Sequence, residues 1–102
     1  MTRKDKIEAM LKDEPNDPEL RYMLAMEHAS LGDDVSAVTV FRELLAATPT
    51  FAPAYHMGGR TLQRLGRIGE ARELLDTGIP IAVKSGNAHA AGEMQELLDQ
   101  LD

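Results

Sequence analysis

The side chains best able to bind a metal or move a proton near neutral pH are His28, His56 and His89. They stand too far apart in the chain to form a local metal-ligating motif, and Glu27-His28 has no second ligand nearby. No cysteine is present, so disulfides, thiolate nucleophiles and cysteine zinc sites are all excluded. Ser30, Ser36 and Ser85 have no histidine and acid arranged around them in a nucleophile pattern. Gly58-Gly59 is not followed by the lysine and serine of a phosphate loop. The carboxylate pairs Asp13-Glu14 and Asp33-Asp34 fall where helices start or connect, where they cap or solvate. These residue types point to a non-catalytic chain with no cofactor and no metal. What remains is binding chemistry, above all Arg60, Arg64, Arg67 and Arg72, which face only Glu70 within their stretch. Arginine grips carboxylates through paired donors.

The net charge of −6 argues against nucleic acid, whose phosphates call for a strongly basic surface. No run approaches the roughly 20 apolar residues of a membrane span, and the basic start Met1-Thr-Arg-Lys lacks the apolar run of a secretory signal. A soluble, cytoplasmic protein is expected. At 102 residues, 43% of them apolar, the chain suits one domain with a modest core. Only Tyr22, Phe41, Phe51 and Tyr55 are aromatic, so Leu, Met, Ala and Ile must carry most of the packing.

The elements that position these side chains repeat at a spacing of 34 residues. Leu31-Gly32 returns as Leu65-Gly66, Ala37 as Ala71 and Pro15 as Pro49; Ile7, Phe41 and Leu75 form one apolar series, and Leu11, Leu45 and Ile79 another. A period of this length marks stacked helical pairs, and apolar spacing is helical throughout. Six helices are expected: Arg3 to Lys12, Pro18 to Leu31 with Asp17 as cap, one after Asp33-Asp34 that Pro49 closes, Ala52 to Leu65, one from Ile68, and a last one after Ser85-Gly86-Asn87. Two features break the pattern. Gly58-Gly59 inside the fourth helix costs about 1 kcal/mol per glycine against alanine; a close helix crossing would explain one of them, and two in a row predict a weakly packed or bendable helix. Pro80 predicts that the fifth helix kinks or ends after Gly78.

With that frame set, Leu31-Gly32, Ala37, Phe41 and Pro49, then Tyr55, Gly59, Leu65-Gly66 and Ala71, fall at the spacing of the tetratricopeptide repeat, and the chain resembles that family. The resemblance implies an all-α, right-handed stack of antiparallel helical hairpins in a single domain. Its parts would be a half-repeat over 1–16, repeats over 18–51 and 52–85, and a capping helix over 86–102. Ala25 would face Ala37, and Gly59 would face Ala71. Gly58, Gly78 and Val83 depart from the larger side chains or proline usual at their places, which predicts a less rigid second repeat.

The first helix of each repeat in this family lines a concave groove that takes peptides or partner helices. Carried over, the groove positions are Glu19, Tyr22, Met23, Met26 and Ala29; Pro53, His56, Met57, Arg60, Gln63 and Arg64; and Asn87, Ala90 and Met94 from the cap. Met23 and Met57 fit packing better than recognition, and the residues chosen as partner contacts are Tyr22, Met26, His56, Arg60 and Arg64. They imply a protein or peptide partner that is apolar and acidic. Chaperone-binding members clamp a C-terminal carboxylate with lysine and asparagine; Tyr22 and Met26 occupy those places here, so docking of that type is not expected. Two other readings stand beside this one. One is self-association through the end helices, Leu97, Leu98 and Leu101 against Ile7, Met10 and Leu11, giving a monomer or weak homodimer. The other is a small anionic-ligand pocket near Arg60 and Arg64.

Overall fold

The computed structural model describes residues 1–101; Asp102, the last residue of the expected cap, lies outside them. Six helices follow in order: α1 (Arg3–Asp13), α2 (Pro18–Ser30), α3 (Asp34–Ala47), α4 (Ala52–Arg64), α5 (Ile68–Lys84) and α6 (Ala88–Gln100), with no strand among the described residues. Their ends are written in local chemistry. The Asp17 carboxylate accepts from the Glu19 and Leu20 amides, Asp33 from Ser36, and Asn87 from Ala90. Thr2 and Asp5 form a reciprocal capping box at the start of α1.

α2, α4 and α5 all stop by one device. Gly32, Gly66 and Gly86 have φ of +82°, +74° and +77°. In each case the glycine amide and the next one bond back to the last turn, as in Asp33 N–H to His28 C=O at 2.9 Å and Arg67 N–H to Leu62 C=O at 2.9 Å.

Each helix packs on the next, and the short connections make successive helices antiparallel hairpins. α2 also touches α4, and α4 touches α6, whereas α1, α3 and α5 make no such close approach to one another. A two-layer stack whose one layer is in contact and whose other is splayed must curve. The α2–α4–α6 layer is therefore the concave side. Between the layers lie Ile7, Ala25, Ala37, Phe41, Leu44, Leu62, Leu75 and Met94, all essentially without solvent contact. Burying a side chain the size of Phe41 is worth about 2–3 kcal/mol.

Both glycines of the pair are close crossings, where one was expected and slackness was expected from the two together. A Cβ on Gly58 would come within 2.8 Å of Leu74 Cδ2, and one on Gly59 within 2.9 Å of Leu75 Cδ2. Gly59 thus makes room for Leu75 rather than for Ala71 alone. Gly78 lies against Tyr55 and Met94, with no space for a Cβ. All three are buried, so the second repeat is tightly packed where a looser one was expected.

α5 also runs through Pro80 to Lys84 instead of ending after Gly78. Asp76, whose carbonyl loses its helical donor, is solvent-exposed, as are Thr77 and Pro80, so the lost bond falls on the open side of the helix rather than in the core.

The stripes proposed for end-to-end self-association are largely consumed inside the molecule. Ile7 and Leu97 are buried, and Leu11, Leu98 and Leu101 are half-buried against their own neighbours; Met10 alone of the six is exposed. The outer side of α6 carries Gln95 hydrogen-bonded to Asp99, a polar surface suited to ending a stack.

Candidate functional site

Three depressions lie side by side on the concave face. The first, of about 380 Å³, is lined by Arg3 of α1 and by Tyr22, Met23, Met26, Glu27 and Ser30 of α2. The second, also about 380 Å³, lies between α2 and α4 and is lined by Met26, Ala29, Ser30, Met57, Thr61 and Arg64. The third, of about 260 Å³, lies between α4 and α6, where His56, Arg60 and Gln63 face Glu93, Glu96, Leu97 and Gln100. Helical spacing produces this arrangement, since residues three and four apart share a face. Tyr22 and Met26 on α2, and His56, Arg60 and Arg64 on α4, each follow that rule.

All five residues expected to meet a partner therefore line the same face, but in different depressions and under different constraints. The Tyr22 ring is half-buried against Phe41 and Phe51, with ring centroids 6.0 and 5.5 Å away, and this burial pushes its phenol pKa up. Its ring supports the core while its edge lines the groove. Met26 is shared by the first two depressions, where it meets Met57 across the α2–α4 boundary.

Arg64 is drawn aside by Asp34, bonding it through Nε at 3.3 Å and Nη2 at 3.0 Å, so its charge is answered within the chain. Arg3 and Glu27 pair at 3.3 Å beside the first depression. By contrast, neither Arg60 nor Glu96 has an ion-pair partner among the described residues. Glu93 pairs with the exposed His89, at 3.0 Å.

His56 is half-buried, and burial is the main reason its pKa falls below the ordinary 6.5; Glu93 pulls it up and Arg60 pushes it further down. An imidazole in this setting is neutral at neutral pH. Arg60 and Arg64 occupy separate depressions, one beside two glutamates and the other tied to Asp34. No joint anion pocket forms from them. Among the described residues, no three His, Asp or Glu side chains gather as a metal site would require, and no helix is long and apolar enough to cross a membrane.

The cap departs most from expectation. Met94 was placed in the groove, yet it is fully buried against Gly78 and the core. The groove-facing residues of α6 are Glu93, Glu96 and Gln100, with Leu97 at their base. The reason is phase. α2 and α4 start 34 residues apart, at Pro18 and Ala52, but α6 starts at Ala88 because α5 runs on past Pro80. Each added residue turns a helix by about 100°, so carrying the 34-residue frame onto α6 selects the wrong face.

No protein-family model matches this chain, and no curated protein matches it. Solved structures do. The solution structure of a tetratricopeptide repeat domain protein from Salinibacter ruber is 30% identical to it, with a TM-score of 0.81 over 86% of this chain and 89% of that one. A protein from Bordetella parapertussis is 28% identical, with a TM-score of 0.85 over 99% of this chain and 88% of that one. The TPR2B domain of yeast Sti1, solved in complex with pHsp70, superposes with a TM-score of 0.90 over 96% of this chain and 78% of that one. At 20% identity, that last likeness is one of fold.

Proposed function

The chain belongs to the tetratricopeptide-repeat family, and from that premise we propose that it is a non-catalytic protein-interaction module holding a peptide or partner helix along its α2–α4–α6 groove. The observation that carries this reading is the line of three depressions on the concave face, each walled by two neighbouring helices. Tyr22, Met26 and Met57 supply the apolar floor. Methionine adapts to irregular surfaces, and tyrosine is a frequent interface anchor. Arg60, without an ion-pair partner among the described residues, is the cation offered to a partner carboxylate. His56 stands beside it, and Arg64 forms a wall of the groove while bound to Asp34. Yeast Sti1 TPR2B, a structural neighbour, is solved with pHsp70, which fits a protein or peptide as the class of partner for this chain too. The pHsp70 ligand itself is not the one we propose, because Tyr22 and Met26 stand where a carboxylate-clamping lysine and asparagine would be needed.

The test is capture from a lysate of the native host by three immobilised forms: wild type, a groove variant (Met26→Ser with Arg60→Ser), and a convex-face variant (Arg42→Ala with Glu73→Ala). A partner held by wild type and by the convex variant, but lost from a groove variant that still melts normally, is expected. Equal capture by all three would refute the groove as the site. Arg42 and Glu73 line a depression on the opposite layer, between α3 and α5, which makes them a fair control.

A further inference from the structure

Resting on the groove reading above, we propose that the α4–α6 end of the groove selects a partner segment carrying a lysine or arginine that enters between Glu93 and Glu96, about three residues from an apolar anchor seated at Met26 and Met57. This depression has walls of opposite charge: His56, Arg60 and Gln63 on α4, and Glu93, Glu96 and Gln100 on α6. Arg60 and Glu96 face the same space without an ion pair to each other or to any described neighbour. Four other arginines are answered within the chain, Arg64 by Asp34, Arg3 by Glu27, and Arg42 and Arg67 by Glu70. Opposite charges held across a cavity but apart are complementary to a ligand that bridges them, with a cation toward α6 and an anion toward Arg60.

The glutamates reach this space because of the phase of α6. The turn that buries Met94 and Leu97 brings Glu93 and Glu96, one helical turn apart, to the groove side. α6 contains no lysine or arginine that would neutralise them. The neighbouring α2–α4 depression is mainly apolar, floored by Met26, Ala29 and Met57. Packed helices lie about 8–10 Å apart and an extended chain rises about 3.3 Å per residue, so adjacent depressions are about three residues apart along a bound strand. The occupant is thus a segment of another protein that pairs a large apolar residue with a base at that spacing, with a carboxylate beside the base for Arg60. A purely acidic segment would meet Glu93 and Glu96 at the end of the groove.

The experiment is selection of binders from a displayed random-peptide library on the wild-type protein. Affinities of synthetic copies are then measured at low and at physiological salt for wild type, Glu93→Gln/Glu96→Gln and Met26→Ser, with thermal melts to show that each variant is folded. Selected peptides are expected to carry the apolar residue and the base at this spacing, and to lose about tenfold or more in affinity on the glutamine variant at low salt. Replacing the peptide base with alanine should cause the same loss on wild type and little further loss on the glutamine variant. Peptides weakened by Met26→Ser but lacking a base, or indifferent to the glutamine variant, would overturn this inference and leave the groove reading intact. Peptides indifferent to Met26→Ser as well, or no peptides at all, would overturn both.

Discussion

Two glycines inside helices should respond in opposite directions to the same change. Gly92 lies mid-way along α6, and a Cβ there would meet nothing within 4 Å. Gly92→Ala should therefore gain only the helix-propensity difference, about 0.5–1 kcal/mol. For a domain of this size, that corresponds to a rise of about 2–8 °C in melting temperature. Gly78 lies inside α5, so the same propensity gain applies, but its Cβ would overlap the Tyr55 Cβ, approach Tyr55 Cγ to 2.7 Å and approach Met94 Sδ to 2.9 Å. Met94 can bend away. Tyr55 Cβ cannot, because it is fixed to the α4 backbone, and the Tyr55 hydroxyl is held by the Pro49 carbonyl at 2.7 Å. Overpacking of this kind costs about 1–3 kcal/mol, and with backbone-attached atoms in conflict the upper figure applies. The net for Gly78→Ala is a loss of about 2 kcal/mol, or about 8–16 °C. Circular dichroism melts of the two variants beside wild type are sufficient. A Gly78→Ala protein that melts at or above wild type would refute the claim that α4, α5 and α6 meet closely at this glycine.

Deleting α6 by ending the chain at Ser85 should uncover the surface of α4 and α5 that Met94 and Leu97 now cover. These two side chains together contribute about 3–6 kcal/mol of burial, against a total stability of about 5–15 kcal/mol, so loss of a cooperative melt is expected, and a truncated chain with unchanged helicity and melting temperature would contradict it. The pH dependence should show His56. Its folded pKa lies below the ordinary 6.5 because it is partly buried, so the unfolded chain binds this proton more readily, and stability falls as pH drops below about 6.5. The carboxylates whose pKa is lowered, such as Asp5 and Asp33, lose their contribution only in more acid solution, below the ordinary 3.8. His56→Gln should therefore flatten the dependence of denaturation midpoint on pH between about 7 and 5; an unchanged slope would refute the assignment.

How far the sequence could be read depended on whether the signal was local. Asp17-Pro18, Asp33 and Asn87 at helix starts, and Gly32, Gly66 and Gly86 at helix ends, act within a turn of themselves, and each limits its helix where the residue type predicts. The regular spacing of Ala37 with Ala71 and of Ile7 with Phe41 and Leu75 was enough to predict the paired-helix stack. Gly59 was expected to allow a close approach and does, whereas Gly58 and Gly78 were expected to loosen the repeat; a glycine in a helix can mean slackness or a close neighbour, and only the positions of Leu74 and Tyr55 distinguish them. The end of α5 expected at Pro80 did not occur, because the sequence does not say which side of α5 faces water.

The sequence by itself determined six helices, their limits except the end of α5, and their stacking as hairpins, since capping chemistry and a 34-residue apolar period are properties of neighbouring residues and repeat without reference to the rest of the fold. It also placed Tyr22, Met26, His56, Arg60 and Arg64 on first helices. Only the tertiary structure decided what those residues have for company. It tied Arg64 to Asp34 and set Tyr22 against Phe41 and Phe51. Through the extension of α5 past Pro80, it turned Met94 inward and brought Glu93 and Glu96 opposite Arg60. The physical reason is that a helix face is set by rotation of about 100° per residue. A shift of one or two residues in where a helix begins leaves its composition unchanged and reverses which side chains line the groove.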